Sequence, residues 1–560
     1  MATVTVMTET PQPPDPQVKR DASALIRALR RRRFGREKNA PRRERIERDA
    51  AEALGDLGDQ RALVPLRDWA VRHCDDLFLH GKAITSMGRI GGPAAADLLI
   101  GLLVQPPGTL TDAVSIGIWQ ASIARALAVV GDPRAIEPLT AVAYRSQSAN
   151  YARTVTGAVR EIGGPAAGDA LLRLLTTPPN TTMQEMVLAH AVDDLGQLGE
   201  PRAVGPIAVW SRTEQANEYS GATIRSLLRI GGAGAVDALL DLIADPPATA
   251  TRIQWQTQAA TALGMLADQR ALPRLQVLVP RLPQDQVRDE VITAIGAIGG
   301  PAAADILLGL LAEPPGDTAQ ARSGVTAAAA RALGTAADPR ALPTLQELVE
   351  RSDDAGLRIA AVAGIGHVGG TAAADVLLRM VADPPLREAA AAALGGTGDP
   401  RALTLLLQYL HDGTVPAPVV TEALGRLGDQ QAVEPLRTHL LAALAAPGEP
   451  STTYASFAQA LGALGDSSAV GPLRELLGSS YDNMLSKPTD AQFAAVVRSL
   501  ALIGGPSAAS TLDSLHIREP TAEQLKQAER SDNDYGYYQL LSSVKRHKDL
   551  VDAQRTVRRS

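Results

Sequence analysis

The stretch AVVGDPRAIEPL, residues Ala128–Leu139, carries the pattern that decides the fold. Gly131 suits the left-handed residue that closes a helix. Asp132 suits an N-cap, and Pro133 suits the first position of the next helix, where no backbone N–H is needed. The stretch therefore predicts the end of one helix, a tight turn and the start of a second helix. Related turns begin at Gly58, Gly199, Ala267, Ala337, Gly398, Gly428 and Gly465.

A second kind of turn, built on two adjacent glycines, lies between these Gly-Asp turns. It begins at Gly91, Gly163, Gly231, Gly299, Gly369 and Gly504. Together the two kinds make fourteen turns at steps of 29 to 40 residues. Helical hairpins repeated at that period are typical of an α-solenoid. We therefore predict an all-α superhelix of about fourteen helical-hairpin repeats.

The turn belongs to a longer pattern, Ala-Leu-Gly-x-Leu-Gly-Asp-x-Arg-Ala-x-x-Pro-Leu, present at Ala53–Leu66 and nearly so at Ala126–Leu139. This pattern resembles the HEAT-like repeats first named for phycobilisome lyases, and the resemblance covers nearly all of residues 41–515. It implies an armadillo-type α-solenoid in which the second helices line the concave, partner-binding face. It says little about activity, because bilin lyases, deoxyhypusine hydroxylase, a class of DNA glycosylase and many scaffolds share such repeats.

The repeats divide the chain into four segments. We predict disorder at 1–20, a basic capping helix at 21–40, the solenoid at 41–515, and closing helices with a basic tail at 516–560. Between residues 19 and 48, thirteen Lys or Arg outnumber four Asp or Glu, although the whole chain carries a net charge of −6. This basic head is either a solvated cap, as an end repeat needs, or an arm that binds nucleic acid.

Composition limits the class of protein and its compartment. A single cysteine, Cys74, argues against a disulfide framework and a thiolate metal cluster. We expect no secretory signal in residues 1–18 and no apolar run that approaches the ~18 residues of a membrane span. A soluble cytoplasmic protein is the resulting expectation, and the excess of arginine over lysine favours a GC-rich bacterial source.

The histidines and glycines do not form a pattern that carries chemistry. No histidine precedes a glutamate, as iron-binding His-Glu pairs would require, and no His-x-x-x-His occurs. Gly364, Gly366 and Gly369 match a dinucleotide fingerprint, but they follow a helical stretch and lie in register with the repeat turns. We therefore predict no catalytic residue, no bound metal and no cofactor.

Acidic and basic side chains recur around the Gly-Asp turns. Each aspartate is expected to cap its own helix, and each arginine to bridge to an acid or carbonyl in the next repeat. Because functional sites are rarely copied into every repeat, we interpret this ladder as structural. It comprises Asp59, Arg61, Asp132, Arg134, Arg202, Asp268, Arg270, Asp338, Arg340, Asp399 and Arg401.

Aromatic residues make up only 3% of the chain, so each tryptophan is a candidate anchor for a partner. Trp69 and Trp210 each lie ten residues after the turn acid, in a second helix. They are either anchors on the concave face or fillers of the core. We take both as candidate binding residues, together with Tyr144, Tyr409 and His439 in the same rows.

These features favour a non-catalytic protein-binding scaffold or adaptor that holds a protein partner on its concave face. A bilin-lyase-like enzyme or assembly chaperone is the first alternative. Nucleic-acid binding through the basic arm is the second, and the acidic balance of the remaining chain disfavours it. The edge that carries the Pro-Pro loops is another candidate surface, although we favour the alternative that Pro-Pro stops each helix and the extra residues are tolerated insertions. These loops begin at Pro106, Pro178, Pro246, Pro314 and Pro384.

Overall fold

The computed structural model describes the parts of the chain whose placement is defined. These are residues 16–30, 40–146, 148–177, 181–248, 251–336, 338–445, 451–478, 490–515, 549–554 and 556–557. Contacts divide the chain into two units, Met1–Ala271 and Leu272–Ser560. The disorder predicted for residues 1–15, the arginine cluster at 31–33 and most of the predicted closing segment at 516–560 lie outside the described residues.

Helix α1 (Pro16–Arg30) opens the amino-terminal unit. It begins inside the segment for which disorder was predicted, because Pro16 occupies the first helical position, where its ring is tolerated. The helices that end at a turn, here called first helices, are α2 (Ala40–Leu57), α4 (Leu77–Ile90), α6 (Ala113–Val130), α8 (Ala149–Ile162), α10 (Thr182–Leu198), α12 (Ser220–Ile230) and α14 (Arg252–Leu266). The second helices, which follow a turn, are α3 (Leu63–Arg72), α5 (Gly92–Val104), α7 (Ile136–Arg145), α9 (Gly164–Thr176), α11 (Val204–Trp210) and α13 (Gly232–Ala244).

The carboxy-terminal unit repeats this arrangement. Its first helices are α16 (Asp285–Ile298), α18 (Ala319–Thr335), α20 (Ala355–Val368), α22 (Pro384–Leu394), α24 (Ala417–Leu427), α26 (Ser451–Leu464) and α28 (Asp490–Ile503). Its second helices are α15 (Leu272–Leu278), α17 (Gly300–Ala312), α19 (Ala341–Arg351), α21 (Gly370–Met380), α23 (Arg401–Asp412), α25 (Val433–Ala445), α27 (Val470–Gly478) and α29 (Gly505–Ser514). No β-strand occurs in the described ranges, and the predicted all-α solenoid is confirmed.

The two kinds of turn differ in backbone conformation. At the Gly-Asp turn, Gly131 is left-handed (φ 71°, ψ 19°) and Asp132 accepts a hydrogen bond from the Arg134 N–H. At the Gly-Gly turn, Gly91 has φ 65° and ψ −165°, a region open essentially to glycine alone. This difference explains why the Gly-Asp turns tolerate Ala267 at φ 50°, since an alanine can enter the left-handed region at a modest cost.

At four of the Gly-Asp turns, an arginine ties the turn to the preceding hairpin. The Arg134 guanidinium lies 2.7 Å from the Asp132 carboxylate and 2.7 Å from the Asp97 carboxylate on α5. Hydrogen bonds from Arg134 also lower the pKa of the Asp132 carboxyl. The sequence-based expectation pointed to the next repeat, whereas the second helix that supplies this carboxylate comes earlier in the chain. Equivalent bridges join Arg202 to Asp169 (2.7 Å), Arg340 to Asp305 (3.0 Å) and Arg401 to Asp375 (2.7 Å).

Neighbouring first helices approach each other almost backbone to backbone. A Cβ placed on Gly366 of α20 would lie only 2.5 Å from the Ala393 carbonyl oxygen of α22. Neighbouring second helices, such as α5 and α7 or α17 and α19, contact each other much less extensively than neighbouring first helices do. Each unit therefore consists of one tightly packed row of first helices and one looser row of second helices.

Helix α6 is long and apolar enough to cross a membrane by length and composition. This differs from the sequence-based expectation, which found no such run. The helix packs between α4 and α8, and Trp119, Ile123 and Leu127 are fully buried in that packing. Its apolar character therefore matches its place in the core of the amino-terminal unit.

We predict that Gly366→Ala lowers the free energy of unfolding by about 1–3 kcal/mol, because the added methyl forces α20 and α22 apart. The matched control is Gly324→Ala in α18, where no atom lies within 4 Å of the added Cβ and alanine is the better helix former. It should stabilise the chain by up to about 1 kcal/mol. Urea denaturation followed by circular dichroism measures both changes, and equal effects would contradict the close packing described above.

Candidate functional site

Trp69 lies inside the first hairpin. Its side chain is fully buried, and its indole N–H donates a hydrogen bond to the Glu47 carboxylate at 3.0 Å. The His73 ring lies beside it, with 4.9 Å between ring centroids. Trp69 therefore joins α2 to α3. At this position the structure shows a residue of the core.

Trp210 is also buried, with 5% of its surface exposed, and lies next to Tyr219. Trp119 and Trp255, in first helices, are fully buried, and the Trp119 indole donates to the Leu102 carbonyl. Trp69 and Trp210, candidates from the sequence for either partner anchors or core fillers, thus lie in the core with little or no exposed surface. A side chain of this size on a second helix fills the space that small residues leave against the first helix.

The remaining predicted binding residues are divided between the two units. Tyr144 belongs to α7 in the amino-terminal unit and is half-buried. Tyr409 of α23 is 8% exposed, and His439 of α25 lies against His411 with 6.4 Å between ring centroids. Burial lowers the pKa of His439. Each of these residues is thus described within its own unit and its own local environment.

A groove on the exposed face of the first helices is the strongest candidate site. It has a volume of about 550 Å³ and runs across α2, α4, α6 and α8. We call it the α4–α6 groove. Its walls include Glu52, Phe78, Lys82, Arg89, Ile118, Arg125 and Tyr151.

Helical spacing builds one wall of this groove. Phe78, Lys82, Thr85 and Arg89 follow each other at steps of four, three and four residues, so they form a stripe along one side of α4. Across the groove, the Tyr151 ring of α8 occupies the space left by a glycine in α6. Any Cβ at Gly117 would collide with that ring.

Phe78 is the exposed aromatic side chain of the groove. It is 59% exposed, which is unusual for a large apolar residue in a chain with four phenylalanines. Two cations flank its ring: the Arg48 guanidinium at 5.7 Å and the Lys82 ammonium at 5.9 Å from the centroid. These distances allow weak cation–π attraction. This attraction stabilises the Phe78 ring in its exposed position at the groove.

The cations of the groove differ in their partners. Lys82 lies 3.0 Å from the Glu52 carboxylate, and Arg89 lies 2.8 Å from the Asp56 carboxylate. Arg125 is exposed, and among the residues that the structure describes no carboxylate lies within ion-pair distance of it. Arg125 is therefore the cation most available to a partner.

Sequence reasoning overlooked this groove because it placed the concave face on the second helices. The register of the repeats contains a signal from which the groove could have been predicted. Arg89 lies two residues before its turn glycine and Arg125 six residues before its own, and both positions face outward on first helices. Those positions vary in residue type from repeat to repeat, in contrast to the turn itself.

Comparison with known families agrees with the repeat pattern. The family model for PBS lyase HEAT-like repeats matches residues 47–68, 119–144, 386–412, 420–442 and 454–479. The model for HEAT repeats matches residues 250–325 and 321–386. The chain carries HEAT-like repeats. No curated protein matches this HEAT-like repeat chain.

Solved structures with detectable similarity share little sequence with this HEAT-like repeat chain. Human deoxyhypusine hydroxylase in complex with glycerol is 20% identical, with 57% of this chain and 97% of that chain covered and a TM-score of 0.21. Importin beta in an ammonium sulfate condition is 13% identical, with 95% and 73% covered and a TM-score of 0.37. Kap121p bound to Ste12p is 12% identical, with 97% and 58% covered and a TM-score of 0.34.

The helix that carries Phe78 is held by a buried histidine. His80 is 2% exposed and packs against Trp119 of α6, with 5.1 Å between ring centroids. Burial lowers the pKa of His80, so the folded state keeps this ring neutral at pH values where the unfolded chain takes up a proton. Stability from this site is therefore complete above the unfolded pKa and declines as the pH falls below it.

We predict that lowering the pH from about 7.5 to 5 shifts the urea midpoint less unfavourably in His80→Leu than in the unsubstituted chain, because the variant has no buried ring to protonate on unfolding. The control is the same substitution, His367→Leu, at an exposed histidine of α20 in the carboxy-terminal unit. Circular dichroism at each pH gives the midpoints. A pH dependence that is unchanged by His80→Leu would show that the buried ring does not contribute to it.

Proposed function

We propose that this chain is a non-catalytic protein-binding scaffold whose partner lies along the exposed face of the first helices in the amino-terminal unit. The observation that carries the proposal is the α4–α6 groove, where the exposed Phe78 ring and the available Arg125 guanidinium share one surface. Aromatic and arginine side chains are the residue types that contribute most to protein interfaces. We also propose a cytoplasmic location, which suits a chain with one buried cysteine.

The spacing of the two helix rows supports this choice of face. A stack of hairpins bends toward the row in which neighbouring helices are closer. In both units that row is the first-helix row, since neighbouring first helices contact each other far more extensively than neighbouring second helices do. The concave side of each unit is thus proposed to lie on the first helices, instead of the second helices that the resemblance implied.

The ladder of the second-helix row supports the same choice. Four of its arginines bind carboxylates both of their own turn and of the preceding hairpin: Arg134, Arg202, Arg340 and Arg401. An arginine that already binds two carboxylates has little to offer a partner, because binding would break existing charge-assisted hydrogen bonds. We therefore propose that the ladder maintains the register of the hairpins.

Retention of partner proteins from a lysate of the source cells tests the proposed face. We predict that the immobilised full chain retains a defined set of proteins and that the double variant Phe78→Ala/Arg125→Glu loses most of it. Both side chains are exposed, so the variant should keep its helical circular dichroism. The matched control is Val209→Glu on the second helix α11, a residue that is 73% exposed.

The control variant should retain the same proteins as the unsubstituted chain. If retention depends on Val209 and not on the groove, the partner uses the second-helix row and the proposed face is wrong. A pigment that co-purifies, or an acceptor protein that becomes covalently coloured, would replace the scaffold by the bilin-lyase alternative. Retention of nucleic acid as the main component would replace it by the nucleic-acid alternative.

A further inference from the structure

The charge of the α4–α6 groove is opposite to that of the chain. Three cations, Lys82, Arg89 and Arg125, face two carboxylates, Glu52 in the groove and Asp56 at its border, so one positive charge is left over at Arg125. The whole chain carries −6. Electrostatic complementarity therefore favours an anionic occupant at this place on an otherwise acidic molecule.

The same groove offers an apolar contact surface. Phe78 is 59% exposed at one wall, and Ile118, Ala121 and Tyr151 line the other side. The groove volume of about 550 Å³ suits a few side chains of a peptide. An occupant that uses the whole groove must therefore combine a large apolar side chain with negative charge.

The positions of the carboxylates limit the length of the anionic part. Glu52 and Asp56 lie on α2 at one border of the groove and already bind Lys82 and Arg89. A continuous polyanion that crosses this border would meet these carboxylates and be repelled. One or two carboxylates that reach Arg125 and share Lys82 or Arg89 avoid that repulsion.

We propose that the α4–α6 groove binds a short acidic segment of a protein partner, in which a large apolar side chain packs against Phe78 and a neighbouring carboxylate pairs with Arg125. This inference rests on the proposed function and specifies the chemistry of the partner. Arg125 supplies a planar, bidentate donor set for the carboxylate, and Phe78 supplies the apolar contact. The segment can be extended or helical, since both present side chains at suitable intervals.

Peptide selection tests the chemistry without knowledge of the partner. A phage-displayed library of random peptides is selected on the immobilised full chain and counter-selected on Arg125→Glu. We predict that the recovered sequences carry a net negative charge and at least one aromatic or large aliphatic residue. Fluorescence anisotropy of the synthesised peptides then gives their affinities.

The expected effect of Arg125→Glu is a loss of affinity of at least tenfold, because a carboxylate then faces a carboxylate. Arg125→Lys should lose less, and Phe78→Ala should weaken binding of the same peptides. Arg225→Glu is the matched control: Arg225 of α12 is exposed and lies six residues before its turn glycine, as Arg125 does, but outside the groove. It should leave the affinity unchanged.

Three outcomes would overturn the inference. One is selection of neutral or basic peptides that still depend on Arg125. Another is that no recovered peptide distinguishes the full chain from Arg125→Glu, although retention of lysate proteins still depends on the groove. In that case the scaffold proposal stands and only the acidic-segment proposal fails. The third is Arg125-dependent binding of a fluorescent single-stranded or duplex oligonucleotide with affinity that exceeds that of the acidic peptides.

Discussion

The close approach of neighbouring first helices is the constraint on which the rest of the structure depends. Glycines and alanines let one helix lie against the backbone of the next, as Gly366 does against Ala393. Dispersion contacts of this kind are individually weak and add up along a row of many helices. Since each hairpin touches chiefly its neighbours, the same contact must be repeated at every step, and this accounts for the small residues of the repeat.

The second helices follow from that constraint. With the first helices held close, the second helices spread apart, and long polar side chains span the gap between them. Arg134 and its equivalents fill this role by joining the turn carboxylate to an aspartate of the preceding hairpin. The arginine side chains are about half exposed, so solvent weakens the attraction of each pair, and the geometry of the bridge matters more than its energy.

The sequence supports correct prediction of features that depend on local rules. Gly131, Asp132 and Pro133 satisfy helix-termination, capping and helix-initiation preferences within a few residues, so the turn and the solenoid follow from them. To predict the direction in which Arg134 bridges, one must know which hairpin lies beside it in space. Predicting that Trp69 is buried requires the orientation of its helix. A repeat period of thirty-odd residues gives no information about that orientation.

The groove lies at the limit of what the sequence can reveal. Phe78 and Arg125 belong to different repeats, and neither residue recurs at its repeat position in every hairpin. They line one groove only because α4 and α6 pack side by side, which brings their exposed faces next to each other. The aspartates at Asp97 and its equivalents illustrate the same limit: their fixed spacing is visible in the sequence, and their partner arginines become evident only in the fold.

Hydroxyl-radical footprinting of the full chain, with and without a bound partner or selected peptide, tests most directly that the first helices form the binding face. Phe78 of α4 reports on the groove, and Val64 and Val209, which are 45% and 73% exposed, report on the second helices α3 and α11. We predict that the partner protects Phe78 from oxidation and leaves Val64 and Val209 as reactive as before. Protection of the two valines with Phe78 still reactive would contradict it.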